Sequence, residues 1–387
     1  MHADIVILGG GIIGSSVAYH LARDGRAGDV IVIERDPSYE LAATPRANGG
    51  IRLLFSLPEN IEMARHGRDF YRAFETEMAV DGDTAPISFK RQGYLFVSDA
   101  GGEVQMEENA RFQEGMGVII KLLDRAALEA KFPAISGVGV ALAVLSPDDA
   151  WIDPQSALLG FRRKARSLGV RYVTGEVAAW ESDNVAARSV GLADGQMITG
   201  DIFVNACGAW AADVGQLIGL GLPVEPMSRE SYFFRCAEPL EPLPFIKTET
   251  DLAFRPEGNG YVGGMPDWSE TAGWNFEPSP DRFETVVWPA LARRLPAMER
   301  VKLTRSWRGH YARNTLDYSA IIGPWSGGLE NVYLANGFSG HGIMHAPATG
   351  RALAELILDG GFQTLDLSRF GYSRIAAGEP YREKGIV

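Results

Sequence analysis

The chain has 387 residues, enough for two domains with cores of their own. Hydrophobic content of 46% and charged content of 22% describe a globular protein, with no apolar run long enough to span a membrane and no basic leader before the first strand. A formal charge of −12 argues against nucleic acid as a partner. Only two cysteines occur, Cys207 and Cys236, which excludes a disulfide scaffold or a cysteine-built zinc site and fits a reducing, cytoplasmic setting.

The apolar run Ile5 to Leu8 fits a fully buried parallel strand. Gly9, Gly11 and Gly14 follow in G-x-G-x-x-G order, then a helical stretch to about Arg23 and a second apolar strand from Val30 to Ile33 that stops at Glu34. In a dinucleotide site Gly9 permits the tight turn, Gly11 lets the backbone approach a pyrophosphate, and Gly14 lets the helix lie close on its strand. The helix start, Ile12 and Ile13, offers N–H groups and a positive dipole end to phosphates. Glu34, twenty residues past Gly14, accepts from ribose hydroxyls and would repel a 2′-phosphate, so NADP is disfavoured. The same glycine spacing recurs at Gly258, Gly260 and Gly263, but there it lies between two strands with no helix after it and reads as a hairpin.

After Arg35 comes a long irregular segment with Thr44, Asn48, Gly49 and Gly50, expected to strap across a cofactor, and then a helix from about Ile61 to Glu77. Short strands (Gly93 to Val97, Val138 to Leu145) and a helix near Glu103 to Glu114 precede a helix from Pro154 to Leu168. Strands are expected at Val170 to Val173, Glu176 to Glu181, Ala187 to Leu192 and Asp201 to Ala206, the last turning through Cys207, Gly208 and Trp210 into a helix. The region from Leu222 to Lys302 reads as antiparallel (Ser231 to Cys236, Leu252 to Arg255, Tyr261 to Gly264) with a helix near Pro280 to Leu295. A strand at Asn331 to Ala335 and a helix from about Pro347 to Leu358 flank Gly337-Phe338-Ser339-Gly340-His341-Gly342. That second glycine turn exposes N–H groups where a reduced flavin ring gathers negative charge. His341 and His345 stand four apart with no carboxylate between them, which favours a role other than metal binding.

The fold expected is α/β: a Rossmann-like FAD-binding domain from residues 1–85, 146–220 and 303–387, interleaved with an antiparallel-sheet substrate domain from 86–145 and 221–302. The first glycine motif with Glu34, the segments Gly49 to Ile61, Val204 to Ala211 and Gly337 to Gly342, and W-x-G-x-Y-x-x-N-T-x-D at Trp307 to Asp317 together resemble the D-amino-acid oxidase superfamily of flavoproteins. Within it the chain is similar to the sarcosine oxidase and dimethylglycine dehydrogenase branch, and most to FAD-dependent oxidoreductase-domain proteins related to a mitochondrial complex I assembly factor. The resemblance spans the whole chain. It implies FAD, oxidation of the C–N bond of an amine or N-substituted amino acid, and oxygen or a redox carrier as acceptor. Val177, Ala206, Ile343 and Met344 join the expected cofactor contacts.

Departures from that pattern bear on the substrate. Where monomeric sarcosine oxidases carry a flavin-linked cysteine this chain has His310, which implies non-covalent FAD, with a His310 tether as the alternative. The arginine and lysine that hold a substrate carboxylate in those enzymes match Phe55 and Met344, while an adjacent family arginine matches Arg52. Arg255 and Arg313 are the candidates to replace the missing cations, His341 to polarise the flavin, and Tyr232 to line the substrate domain. Competing expectations are a D-amino-acid or cyclic secondary amino-acid dehydrogenase, an NAD-dependent dehydrogenase, and a non-catalytic flavoprotein that assists assembly of a complex.

Overall fold

A computed structural model describes residues 1–385. Strand β1 (His2–Leu8) is buried throughout from Ile5 to Leu8, because strands flank it on both sides. Helix α1 (Ile12–Asp24) ends on Gly25 at a left-handed φ of 81°. Strand β2 (Val30–Glu34) then returns parallel to β1, with Val30 opposite Ile5. The segment after it holds a 3₁₀ turn at Thr44–Arg46 and the short β3 (Gly50–Ile51), which pairs with Ala150–Trp151. Helix α2 (Pro58–Glu77) follows, its proline at an allowed first-turn position.

The first large sheet has eight strands. Its parallel centre runs Arg171–Thr174, β2, β1, Met197–Asn205, Val332–Asn336. Ile321–Pro324 and the hairpin of Val177–Ser182 with Ala187–Leu192 extend it antiparallel. The apolar faces of α1, α2 and the helices Pro154–Ser167 and Gly342–Asp359 pack in one cluster with Ile5, Ile7, Val30 and Val32. Both glycine turns leave this sheet at the carboxyl ends of parallel strands, where α/β sheets place their ligands.

The second large sheet also has eight strands, in the order Val301–Asn314, Val224–Cys236, Gly260–Gly264, Ala253–Glu257, Phe245–Thr248, Tyr94–Asp99, Val140–Ser146, Lys121–Leu123. Every neighbouring pair is antiparallel except Phe245–Thr248 with Tyr94–Asp99. Phe234, Phe254, Tyr232 and Phe283 form part of its buried core. The hairpin at Gly258 is Ala253–Glu257 turning into Gly260–Gly264.

Three elements differ from the sequence reading. The strand expected at Ser231 starts at Val224, because it pairs along its whole length with Val301–Asn314, a strand of the second sheet that the sequence reading did not name. The helix near Pro280 is a wide turn at Phe283–Val287 running into Trp288–Arg294. The last long helix begins at Gly342 rather than Pro347. Pro347 has no N–H to give the Ile343 carbonyl, and the Tyr71 hydroxyl donates to that oxygen instead at 2.8 Å. No helix among the described residues is long and apolar enough to cross a membrane.

Candidate active site

Gly9 holds φ 94°, and a Cβ there would meet the Ala206 carbonyl oxygen at 2.5 Å; one at Gly14 would meet the Gly9 oxygen at 1.9 Å. Both glycines answer to the protein's own packing. Gly11 does not. Its φ of −61° suits any residue, and a Cβ there would meet nothing within 4 Å. The open space above it belongs to a cavity of about 620 Å³ lined by Gly9, Gly11, Ile12, Ile13, Glu34, Arg35, Thr44 and Val177. Ala206, Cys207, Gly208 and Trp210 complete one wall. The residue before α1, Gly11, has no side chain to cap it, and among the described residues only Ile12 N has a side-chain acceptor, Thr44 Oγ1 at 3.4 Å, so the positive dipole end of the helix faces the cavity, an effect of about 0.3–1 kcal/mol for a bound anion.

Glu34 is fixed at the rim: Gly10 N donates to Oε2 at 2.8 Å and Asp36 N to Oε1 at 2.9 Å. Burial raises its pKa while those N–H groups oppose the rise. Its remaining lone pairs can take two ribose hydroxyls. Arg35 lies over the Trp210 ring at 3.7 Å and closes the same end. Burial pushes the Cys207 thiol up, so it stays protonated and unreactive.

The second turn reaches this cavity from the far end of the chain. Phe338, Ser339, Gly340, Gly342 and Ile343 line it, so Gly11 and Ser339 face one space. Gly337, Ser339 and Gly340 all have left-handed φ, at 67°, 49° and 99°, and Ser339 pins the turn by accepting from Asn314 N at 3.0 Å. A larger cavity of about 820 Å³ adjoins the first at Ala47, Tyr311, Ser339, Gly340 and Ile343, which line both. Together the two offer room for an elongated ligand whose reactive end reaches the second sheet.

Arg52, 3% exposed, stands in the larger cavity. Its Nη1 donates to the Leu54 carbonyl and its Nη2 to His341 Nε2 at 3.2 Å, while its plane lies 4.0 Å over the Phe55 ring. Burial and the Arg52 charge hold the His341 pKa well below its usual value, so the ring is neutral and Nε2 accepts. Arg229 lies between the Trp268 and Tyr311 rings at 4.6 and 5.0 Å. Burial, then Arg52, push the Lys247 ammonium down to about 8, and Asp251 lies 3.8 Å from it. Behind the strap Asp149 is fully buried, accepts from Leu53 N at 3.0 Å, and has its carboxyl pushed up to about 7 by desolvation.

The segment from Tyr381 to Gly385 closes one side. Arg382, Glu383 and Gly385 line the cavity, and Glu383 accepts from Ser56 N, Ser56 Oγ, Leu57 N and Asn60 Nδ2. It thereby caps α2, whose own flanking residue Leu57 cannot. Tyr381 Oη donates to Glu59 at 2.8 Å.

Among the residues singled out from sequence, Asn48, Gly49, Gly50, Arg52, His341 and Met344 line the larger cavity rather than the nucleotide one. Gly14 and Gly337 shape turns without lining either. Tyr232, Arg255 and His310 line neither of these two cavities. Tyr232 packs on Phe283 in the core of the second sheet, 5.1 Å between rings. Arg255 braces the strap from outside, Nε to the Asn48 carbonyl at 2.6 Å, and pairs with Glu257. His310 Nε2 accepts from Asn275 N at 3.0 Å beneath Trp274 and Phe276. Strand alternation explains it: the next residue, Tyr311, faces the cavities. Arg313 does line the larger cavity but is paired with Glu225. Sequence reasoning missed Arg229 and Lys247, which sit on strands with no local motif to mark them, and gave no role to Tyr311, although it lies within the quoted motif from Trp307 to Asp317.

A Rossmann-like sheet with two anion-favouring turns at one cavity, and a substrate cavity against a second sheet, defines a flavin-dependent oxidoreductase. The DAO family, FAD dependent oxidoreductase, matches residues 4–356, and the chain belongs to it. It is 39% identical to FAD-dependent oxidoreductase domain-containing protein 1 of Xenopus laevis, over 100% of this chain and 85% of that protein. It is 26% identical to the mitochondrial dimethylglycine dehydrogenase of Homo sapiens, over 100% of this chain and 47% of that protein. The crystal structure of L-proline dehydrogenase from P. horikoshii superposes with a TM-score of 0.88 at 27% identity, covering 98% of this chain and 99% of that one. FAD fits the residues present: the space over Gly11 is open, Glu34 is poised for a ribose, and the two cavities adjoin at the second turn.

Proposed function

We propose that the chain oxidises the C–N bond of an N-substituted, sarcosine-like amino acid. The observation that carries this reading is Arg52, a buried guanidinium in the cavity beyond the cofactor space, held by a carbonyl and a neutral imidazole. A buried cation without an anion in contact is costly, and a substrate carboxylate would relieve it. FAD, which the cavity over Gly11 and Glu34 would hold, would supply the two-electron oxidant for a hydride lost from the substrate carbon next to nitrogen, and water would hydrolyse the resulting imine.

The chain's own groups set up that event. Arg52 orients the carboxylate with a fork that His341 keeps in plane. Leu54, Tyr94 and Phe96 line the space beside it and exclude water. Burial first, and then the Arg52 charge, lower Lys247 to about 8; the same surroundings disfavour a bound ammonium, so the amine binds neutral and needs no strong base. The test is anaerobic mixing of the FAD-loaded protein with N-methyl, secondary and D-amino acids, followed by re-oxidation with oxygen or a dye. Bleaching of the flavin by carboxylate-bearing amines is expected. Bleaching by none of them defeats the proposal.

A further inference from the structure

Resting on the reading above, we infer that the Tyr311 hydroxyl accepts the N–H of the substrate nitrogen, which makes the preferred substrate a secondary rather than a tertiary amine. The carbon to be oxidised has to lie where the two cavities meet, and five residues line both: Ala47, Tyr311, Ser339, Gly340 and Ile343. Ala47, Gly340 and Ile343 bring no polar side chain to that seam. Ser339 uses its hydroxyl inside the turn, donating to the Gly337 carbonyl at 3.2 Å and accepting from Asn314 N at 3.0 Å. Tyr311 is left. Its hydroxyl has no hydrogen-bond partner among the described residues and is not sealed away from the cavity.

The rest of Tyr311 is held in place. Its backbone pairs with Met227, its ring lies against Gly340, where a Cβ would meet it at 2.9 Å, and the Arg229 guanidinium stands 5.0 Å from the ring centroid. Tyr94 lines the larger cavity alone, away from the seam, and is stacked on Phe245. Arg52 bonds His341 at 3.2 Å, and His341 follows Gly340 in the chain, so the seat for a substrate carboxylate and Tyr311 abut the same turn. A neutral amine offers a lone pair and, if secondary, one N–H. The lone pair becomes the second bond of the imine, so a hydroxyl donating to it would hold back the electrons that the oxidation needs. A hydroxyl accepting from the N–H leaves that pair free. A tertiary amine has no N–H to give, and a site built to bond one discriminates against it.

Two measurements on the FAD-loaded protein test this. Anaerobic flavin reduction compares N-methylglycine with N,N-dimethylglycine. Flavin difference spectra, which need no turnover, compare pyrrole-2-carboxylate with furan-2-carboxylate, alike in shape and differing by a ring N–H against a ring oxygen. The N–H member of each pair is expected to react or bind about tenfold better. Tyr311→Phe keeps the ring on Gly340 and loses only the hydroxyl. It should retain FAD and close most of both gaps by weakening the N–H member alone. No gap between the pyrrole and furan compounds, a gap that Tyr311→Phe leaves intact, or loss of FAD from Tyr311→Phe overturns the inference. If no amine bleaches the flavin, the C–N oxidation reading fails by itself, and the pyrrole and furan titrations still decide whether an N–H is recognised at the seam.

Discussion

The nucleotide cradle and the substrate cavity share five wall residues and are built in opposite ways. The cradle is backbone: glycine turns, a helix end and one acid, drawn from strand ends of a single sheet. The substrate cavity is side chain: Arg52 from the strap, Arg229 and Lys247 from the second sheet, and Glu383 from the far end of the described chain. Backbone geometry tolerates almost no change where it packs on itself. Side-chain chemistry can be retuned without disturbing the fold, so specificity resides in the second region and cofactor choice in the first.

The sharpest way to break the comparison is within the cradle. Gly14→Val places a side chain onto the Gly9 carbonyl and should leave no folded protein, whereas Gly11→Val should melt like the flavin-free parent yet purify colourless. Thermal melts and the flavin-to-protein absorbance ratio read this, and a yellow Gly11→Val protein would remove the pyrophosphate from that space. On the other side, Arg52→Met should keep its FAD but lose about hundredfold in kcat/KM for carboxylate-bearing amines, the size expected for one buried charged contact.

Asp149 sharpens the contrast through pH. Its carboxyl is raised to about 7 in the fold against about 3.9 in the unfolded chain, so the native state binds the proton more tightly. Wild type should therefore lose stability relative to Asp149→Asn as pH rises from about 4 to about 7, with a constant difference above that window. Urea midpoints of the two proteins across it provide the check; parallel curves would count against a buried acid. A smaller change is expected of Glu34→Gln, which should weaken FAD about tenfold in equilibrium titrations by removing a charged acceptor. The smallest belongs to His310→Gln, with steady-state rates within about twofold of wild type, because the ring faces away from both cavities. Acid precipitation should release FAD from either protein, and flavin retained in the wild-type pellet alone would restore the His310 tether.

The two regions also differ in how far they could be read in advance. Gly9, Gly14 and Glu34 announce themselves because a tight turn, a close helix and an acid at a strand end leave a fixed local spacing. Arg229 and Lys247 lie on strands whose register is set by pairing with Val301–Asn314 and Tyr94–Asp99, contacts far apart in sequence. The same register decides His310 against Tyr311, one residue and opposite faces. The helix boundary at Gly342 escaped for another reason: Pro347 looks like a first-turn residue until Tyr71, from a different helix, supplies the missing donor.

The hold of Glu383 on Ser56, Leu57 and Asn60 ties the substrate wall to a contact very distant in sequence. The cradle's β1, α1 and β2 are local in sequence. The start of α2 is capped by a carboxylate more than three hundred residues further along the chain, a contact with a high loop-closure cost. The strands and helix that begin the cofactor site thus rest on contacts among neighbours in sequence, whereas the wall beside Arg52 depends on a contact more than three hundred residues long.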